Sequence, residues 1–119
     1  MLTHLVLFRP KPGLTEAEAA LLVEALEAAA RGIPGVRRFL VGRETVDQPR
    51  YSAGAAPAFP YVALVELDDR AALDAYLAHP AHQALGAAFN TALGAALIYD
   101  FETEEATTGA ARRLIGSLR

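Results

Sequence analysis

Near its start the chain carries the apolar run Leu2-Thr3-His4-Leu5-Val6-Leu7-Phe8-Arg9, which stops at Pro10-Lys11-Pro12-Gly13. A short apolar run that ends in turn residues predicts a β-strand. Because successive side chains of a strand point to opposite faces, His4, Val6 and Phe8 share one face, whereas Leu5 and Leu7 share the other. Both faces of this strand are therefore mostly apolar, and the sheet that contains it needs a cover on each side.

The residues after the turn predict a helix. Thr15 and Glu18 have the spacing of a capping box, in which a hydroxyl and a carboxylate satisfy the free amides of the first turn. Gly32, followed by Pro34-Gly35, ends this helix. Gly35 is expected to adopt a positive φ in the turn, where glycine carries no steric cost.

The rest of the chain alternates between strand and helix patterns. The predicted strands are residues 36–44, 61–67 and 95–102, and the predicted helices are residues 71–78 and about 81–93. His79-Pro80 separates the two helices, because the residue before a proline avoids the helical region, and Gly94 is expected to end the second. The resulting order predicts an α+β, ferredoxin-like βαββαβ sandwich: a four-stranded antiparallel sheet with its helices on one face.

The chain has the length of one domain, which we assign to residues 1–102. Residues 47–60, rich in proline and small side chains, are predicted to be a loop. Residues 103–119 form a C-terminal tail with the apolar residues of a short helix.

The second face of the sheet requires a partner or a covering segment. The strand at residues 61–67 and the strand at residues 95–102 repeat the two-sided apolar pattern. An identical subunit that packs sheet against sheet would bury this face and close a dimeric α/β barrel. The alternative is that the C-terminal tail folds across it. Of the two, the pattern favours the homodimer.

The composition argues against several classes of function. The chain has no cysteine, which excludes disulfides, thiolate catalysis and cysteine-bound metals. Its net charge is −3 and Lys11 is its one lysine, so nucleic acid is not an expected partner. No apolar run is long enough to cross a membrane and no signal-peptide pattern is present, which predicts a cytoplasmic protein. No phosphate-binding loop is visible, and no cofactor is expected.

The segment Tyr76-Leu77-Ala78-His79-Pro80-Ala81-His82-Gln83 carries the strongest chemical signal. It holds two of the three histidines of the chain together with a tyrosine. Imidazole titrates near neutral pH, so such a cluster is a candidate for proton transfer. A metal is not expected at these histidines, because Pro80 interrupts the helix between them and no carboxylate stands at a supporting spacing.

Five segments match a known family in their combined spacing. They are His4 to Arg9, Lys11 to Glu16, Ile33 to Val36 with Gly42, Tyr76 to Gln83, and Tyr99-Asp100-Phe101-Glu102. Through them, residues 3–102 resemble the stress-responsive dimeric α/β-barrel (Dabb) family. The resemblance implies a small homodimeric barrel. Gly35 and Gly42 are also predicted to have structural roles.

The resemblance also implies a pocket between the sheet and the helices, of the kind that a polyketide cyclase of this family has. In such a pocket His82 would be the base, Tyr76 would assist it, and His4 would line the wall. Ala63 and Leu26 occupy positions where the cyclase has a histidine and a tyrosine. The pocket of this chain is therefore expected to be less polar and to take a more hydrophobic ligand.

Each site residue also has a structural interpretation. His82 and His4 could pack as hydrogen-bonded core histidines, and His79 is expected to cap the helix that Pro80 begins. We place His4, His79, Phe8 and Phe89 in the candidate ligand-binding set, and His82 and Tyr76 in the candidate catalytic set.

Three functions follow from these residues. The first is a homodimer that binds a small apolar ligand without chemistry, the second is a cofactor-independent enzyme of polyketide cyclase type with His82 as general base, and the third is a cofactor-free monooxygenase by fold analogy. A closed cavity lined by His82 and Tyr76 would favour an enzyme. Filling of that space by Phe8, Phe89 and Leu97 would favour a structural role.

Overall fold

The computed structural model describes residues 1–45 and 59–116. Its elements in chain order are β1 (Leu2–Pro10), α1 (Glu16–Gly32), β2 (Val36–Arg43), β3 (Tyr61–Leu67), α2 (Arg70–Ala78), α3 (Pro80–Ala92), β4 (Leu93–Glu102), a short 3₁₀-helix (Ala106–Thr108) and α4 (Ala110–Ile115). The predicted loop at residues 47–60 lies outside the described residues, except for Phe59 and Pro60.

The four strands form one antiparallel sheet in the order β2-β3-β1-β4, which confirms the predicted ferredoxin-like fold. Val6, Phe8 and Val65 lie in the core between this sheet and the helices. The strand register aligns His4 of β1 with Val65 of β3 on one side and with Asp100 of β4 on the other. The centre of the sheet therefore presents His4 among apolar side chains.

Helix α1 begins at the predicted capping box. The backbone amide of Glu18 donates to Thr15 Oγ1 at 3.1 Å, and the backbone amide of Thr15 donates to Glu18 Oε1 at 3.0 Å. Lys11 Nζ also donates to Glu18, at 2.7 Å, and these bonds lower the pKa of Glu18 to about 2. Gly35, in the turn between α1 and β2, has φ +90°, as predicted.

The junction between α3 and β4 differs from the prediction that Gly94 ends the helix. Helix α3 ends at Ala92, and Gly94 lies inside β4. A Cβ atom at Gly94 would lie 3.2 Å from the carbonyl oxygen of Pro10 and 3.3 Å from Cα of Lys11. A Cβ atom here would be crowded by the neighbouring backbone, so glycine favours this close approach, and it does not act as a helix stop.

The sheet face opposite the helices remains open. On it, β1 contributes Leu5 and Leu7, whose register partners on β4 are Tyr99 and Leu97. Several large apolar side chains of this open face are exposed, namely Leu40, Leu97, Tyr99 and Phe101. Helix α4 and the preceding 3₁₀-helix leave these residues exposed, contrary to the alternative in which the tail covers the face. Among the helices within residues 1–45 and 59–116, none combines the length and the hydropathy of a membrane-spanning segment.

Candidate functional site

The break between α2 and α3 is made by His79 and Pro80. His79 has an extended backbone and its Nδ1 accepts a hydrogen bond from the amide of Ala81 at 3.0 Å. Pro80 then occupies the first position of α3, where a missing amide proton is harmless. His79 thus caps α3, as predicted, and its side chain does not line the cavity described below.

Three aromatic side chains meet beside this break. The ring centroids of Tyr76 and His82 are 4.9 Å apart. The centroid of His4, which reaches the same point from β1, lies 5.6 Å from Tyr76 and 6.3 Å from His82. The first strand and the two consecutive helices α2 and α3 therefore bring these three side chains to one place.

These three rings line a cavity of about 460 Å³ between the sheet and α3, and Asn90 and Asp100 add two further polar side chains to its wall. Most of the remaining wall is apolar, including Val6, Leu26, Phe39, Ala63, Val65, Leu85, Phe89 and Leu93. The cavity opens to the surface along β4, where Ile98 and Asp100 are exposed. It is not the closed cavity considered in the sequence analysis, but it does have His82 and Tyr76 in its wall.

Of the three side chains that could have filled the cavity, Phe8, Phe89 and Leu97, only Phe89 lies in its wall. Phe89 lines the cavity, and its ring centroid is 5.3 Å from that of Phe8. Phe8 itself lines a neighbouring groove of about 720 Å³ between α1 and the strands β2 and β3, which shares Leu26 and Phe39 with the cavity. Leu97 lies on the open face of the sheet, beside Leu7, and cannot fill the cavity.

Burial changes the acid–base properties of two members of the cluster. Desolvation, with a further contribution from the nearby His4, lowers the pKa of His82, and a hydrogen bond to the backbone of Leu77 opposes this in part. Burial raises the pKa of the Tyr76 phenol to about 12. At neutral pH, His82 is thus an uncharged imidazole that can accept a proton, and Tyr76 is a phenol that can donate a hydrogen bond.

Asp100 is a site residue that was not among those predicted from the sequence. Its Oδ1 lies 2.6 Å from Nδ1 of His4, and the carboxylate sits at the mouth of the cavity. The alternation of side chains along a strand could have predicted it, because Asp100 is two positions after Ile98 and therefore lies on the same helix-facing side of β4. Within the described residues, no group of three or more histidine, aspartate or glutamate side chains could hold a metal ion.

The fold and the site define a ferredoxin-like domain with a histidine-lined cavity between sheet and helix. The family comparison is specific: residues 2–103 match the stress responsive A/B barrel domain, Dabb. The chain therefore belongs to the Dabb family. The comparison with curated proteins gives no significant match.

Solved structures show the same architecture. A dimeric ferredoxin-like protein of unknown function from Jannaschia sp. CCS1 is 31% identical, with 86% of this chain and 98% of that chain covered and a TM-score of 0.67. A Dabb family protein from Mesorhizobium loti is 20% identical, with 87% and 97% covered and a TM-score of 0.67. A hydroxynitrile lyase from Passiflora edulis is 14% identical, with 87% and 94% covered and a TM-score of 0.71.

Proposed function

We propose that this protein binds a small, mostly apolar molecule in the cavity between the sheet and α3, with the polar end of that molecule at His4, Tyr76 and His82. The observation that carries the proposal is the convergence of these three rings in the wall of a mostly apolar cavity. Cavities of this size with a few convergent polar groups are typical small-molecule sites. His79 is not part of the proposed set, because its imidazole caps α3.

A matched pair of glycine variants tests the binding site. Gly86 lines the cavity from α3, and a Cβ atom there meets nothing within 4 Å, so Gly86→Leu should fill the cavity without disturbing the backbone. Gly32, in the last turn of α1, also has free space around its Cβ position but lies outside the cavity, so Gly32→Leu is the control.

The measurement is an NMR titration with 1-naphthaldehyde, which combines an apolar body with one carbonyl group. We expect shifts at Tyr76 and His82, an affinity at least about tenfold weaker in Gly86→Leu, and an unchanged affinity in Gly32→Leu. Equal affinity in all three proteins, or shifts confined to other regions, would exclude this cavity as the binding site.

We also propose that the protein is a homodimer that forms through the open face of the sheet. The exposed Leu97, Tyr99 and Phe101 support this, because a contiguous apolar face is typical of an interface. The Jannaschia structure is described as dimeric, and its relation to this chain supports a shared mode of assembly. The cytoplasmic location stays a prediction, which cell fractionation would test.

The second candidate function is cofactor-independent proton transfer, with His82 as the general base. The lowered pKa of His82 favours it, because an uncharged imidazole beside a phenol donor suits removal of a proton from a carbon next to a carbonyl group. The Passiflora protein is a lyase by name, which supports the view that this fold can hold a catalytic site. The oxygenation alternative stays a prediction without a feature of the described site that favours it.

Proton transfer can be measured without knowledge of the natural substrate. Exchange of the methyl protons of acetophenone in D₂O, followed by NMR, should be faster with the wild type than with His82→Gln. His79→Asn is the matched control, because asparagine also caps a helix and His79 lies outside the cavity. A screen for polyketide cyclisation with the same variants would extend the test. Equal exchange with the wild type and with His82→Gln would remove the enzyme from consideration.

A further inference from the structure

Asp100 and His4 form a pair across the strands β1 and β4. They are register partners, and Oδ1 of Asp100 lies 2.6 Å from Nδ1 of His4. The two side chains differ in environment: the His4 side chain is 7% exposed, whereas the Asp100 side chain is 41% exposed. A carboxylate at the mouth of the cavity therefore contacts an imidazole that is buried inside it.

This contact determines which nitrogen of His4 carries the proton. An ionised carboxylate can only accept hydrogen bonds, so Nδ1 of His4 must be the donor in a bond of this length. In an uncharged imidazole the other nitrogen, Nε2, is then an acceptor. The tautomer of a histidine is commonly set in this way by the partner of one of its nitrogens.

We propose that Asp100 is a positioning residue that holds His4 in its Nδ1–H tautomer, so that Nε2 accepts a hydrogen bond from a hydroxyl group of the bound molecule. This rests on the proposed ligand-binding function and deepens it. Tyr76 offers a phenolic donor in the same cavity wall, with its ring centroid 5.6 Å from that of His4. The site thus favours apolar molecules that carry a hydroxyl group, such as phenols and enols, over their ethers.

The tautomer is measured directly by imidazole ¹⁵N NMR at pH 7.5. In the wild type we expect His4 to be protonated at Nδ1 alone. In Asp100→Asn, where the amide can donate to Nδ1, the preference should be lost and both tautomers should be populated. Glu102→Gln removes the same charge from the same strand and is not part of the cavity wall, so it should leave the His4 spectrum unchanged.

Ligand preference gives the second readout, with 1-naphthol and 1-methoxynaphthalene as probes of equal shape. The wild type and Glu102→Gln should bind the naphthol about fivefold more tightly, as expected for one hydrogen bond, and Asp100→Asn should bind the two with similar affinity. An Nε2–H or doubly protonated His4 in the wild type, or an unchanged preference in Asp100→Asn, would overturn the proposal. If neither naphthalene binds, the proposed ligand-binding function is wrong, and the ¹⁵N spectra still decide the role of Asp100.

Discussion

Tyr76 and His82 lie with their ring centroids 4.9 Å apart, although they belong to different helices. They are six positions apart in sequence, and in a continuous helix residues with that spacing lie on different sides of the cylinder. The extended backbone of His79 and the restart of the helix at Pro80 turn the chain between them. The helix break is therefore what brings a phenol and an imidazole into the wall of the same cavity.

Replacement of Tyr76 by phenylalanine tests the phenol separately from the ring. Tyr76 is 1% exposed and lies in the hydrophobic core, so Tyr76→Phe should keep the packing and stay close to the wild type in thermal stability. The loss of the donor should weaken binding of 1-naphthaldehyde about fivefold. Tyr76→Ala is the contrasting variant, and we expect it to lower the free energy of unfolding by about 3–5 kcal/mol. Unchanged naphthaldehyde affinity in Tyr76→Phe would show that the phenol does not contact the ligand.

The proposed homodimer can be tested on the open face without disturbing the subunit core. Leu97 is 39% exposed on β4, and Leu97→Asp should dissociate the dimer, because a charge buried in an interface without a partner is strongly unfavourable. Leu21 is 58% exposed on α1, away from the open face, so Leu21→Asp is the control. Sedimentation velocity at micromolar concentration should show a dimer for the wild type and for Leu21→Asp. A wild type that sediments as a monomer would refute the assembly.

The turn between α1 and β2 contains one residue, Gly35, whose replacement should change the free energy of unfolding. Gly35 has φ +90°, where a side chain with a Cβ atom is strained. Gly35→Val should therefore lower the free energy of unfolding by about 1–3 kcal/mol, measured by urea denaturation. Gly32→Ala, at a helical glycine of the same region with free space around it, should be neutral or slightly stabilising. If both variants unfold at the wild-type urea concentration, the turn in solution has another geometry.

The order of the elements could be predicted because each one has a local signal. Each of these signals involves only a few neighbouring residues. The structure contains the capping box at Thr15, the helix break at His79-Pro80 and the strand β1 with its apolar residues on both faces. The misassigned end of α3 arose from a contact that is distant in sequence. When only its neighbours in sequence are considered, Gly94 is predicted to end the helix. In the structure it lies in a strand, where the backbone of Pro10 and Lys11 leaves little space for a side chain.

The site could be predicted from the sequence only in part. Tyr76 and His82 are close in sequence and could be linked through the helix break. The place of Asp100 depends on the register between β1 and β4, in which it stands opposite His4, and 96 positions separate the two residues. Phe8 lines the groove beside α1, whereas the cavity lies beside α3. Which of the two a residue lines depends on how both helices pack on the sheet, and the hydrophobic periodicity of the sequence does not predict this packing.

The lowered pKa of His82 predicts a specific dependence of stability on pH. Burial makes the charged imidazole unfavourable in the folded protein, so the folded-state pKa lies below the ordinary value of about 6.5 that applies in the unfolded chain. Between these two values the unfolded chain binds more protons than the folded protein, and the free energy of unfolding falls as the pH falls. The stabilising contribution of neutral His82 is thus fully present above about pH 6.5 and is lost as the pH drops through the folded-state pKa.

Urea denaturation of the wild type and of His82→Gln between pH 7.5 and pH 5 measures this contribution. Other titrating groups act in both proteins, so the difference between the two free energies isolates His82. We expect the wild type to lose more stability than His82→Gln as the pH is lowered. If the two proteins lose stability in parallel, His82 binds a proton equally well in the folded and the unfolded chain. In that case His82 is not a desolvated, uncharged base in the cavity.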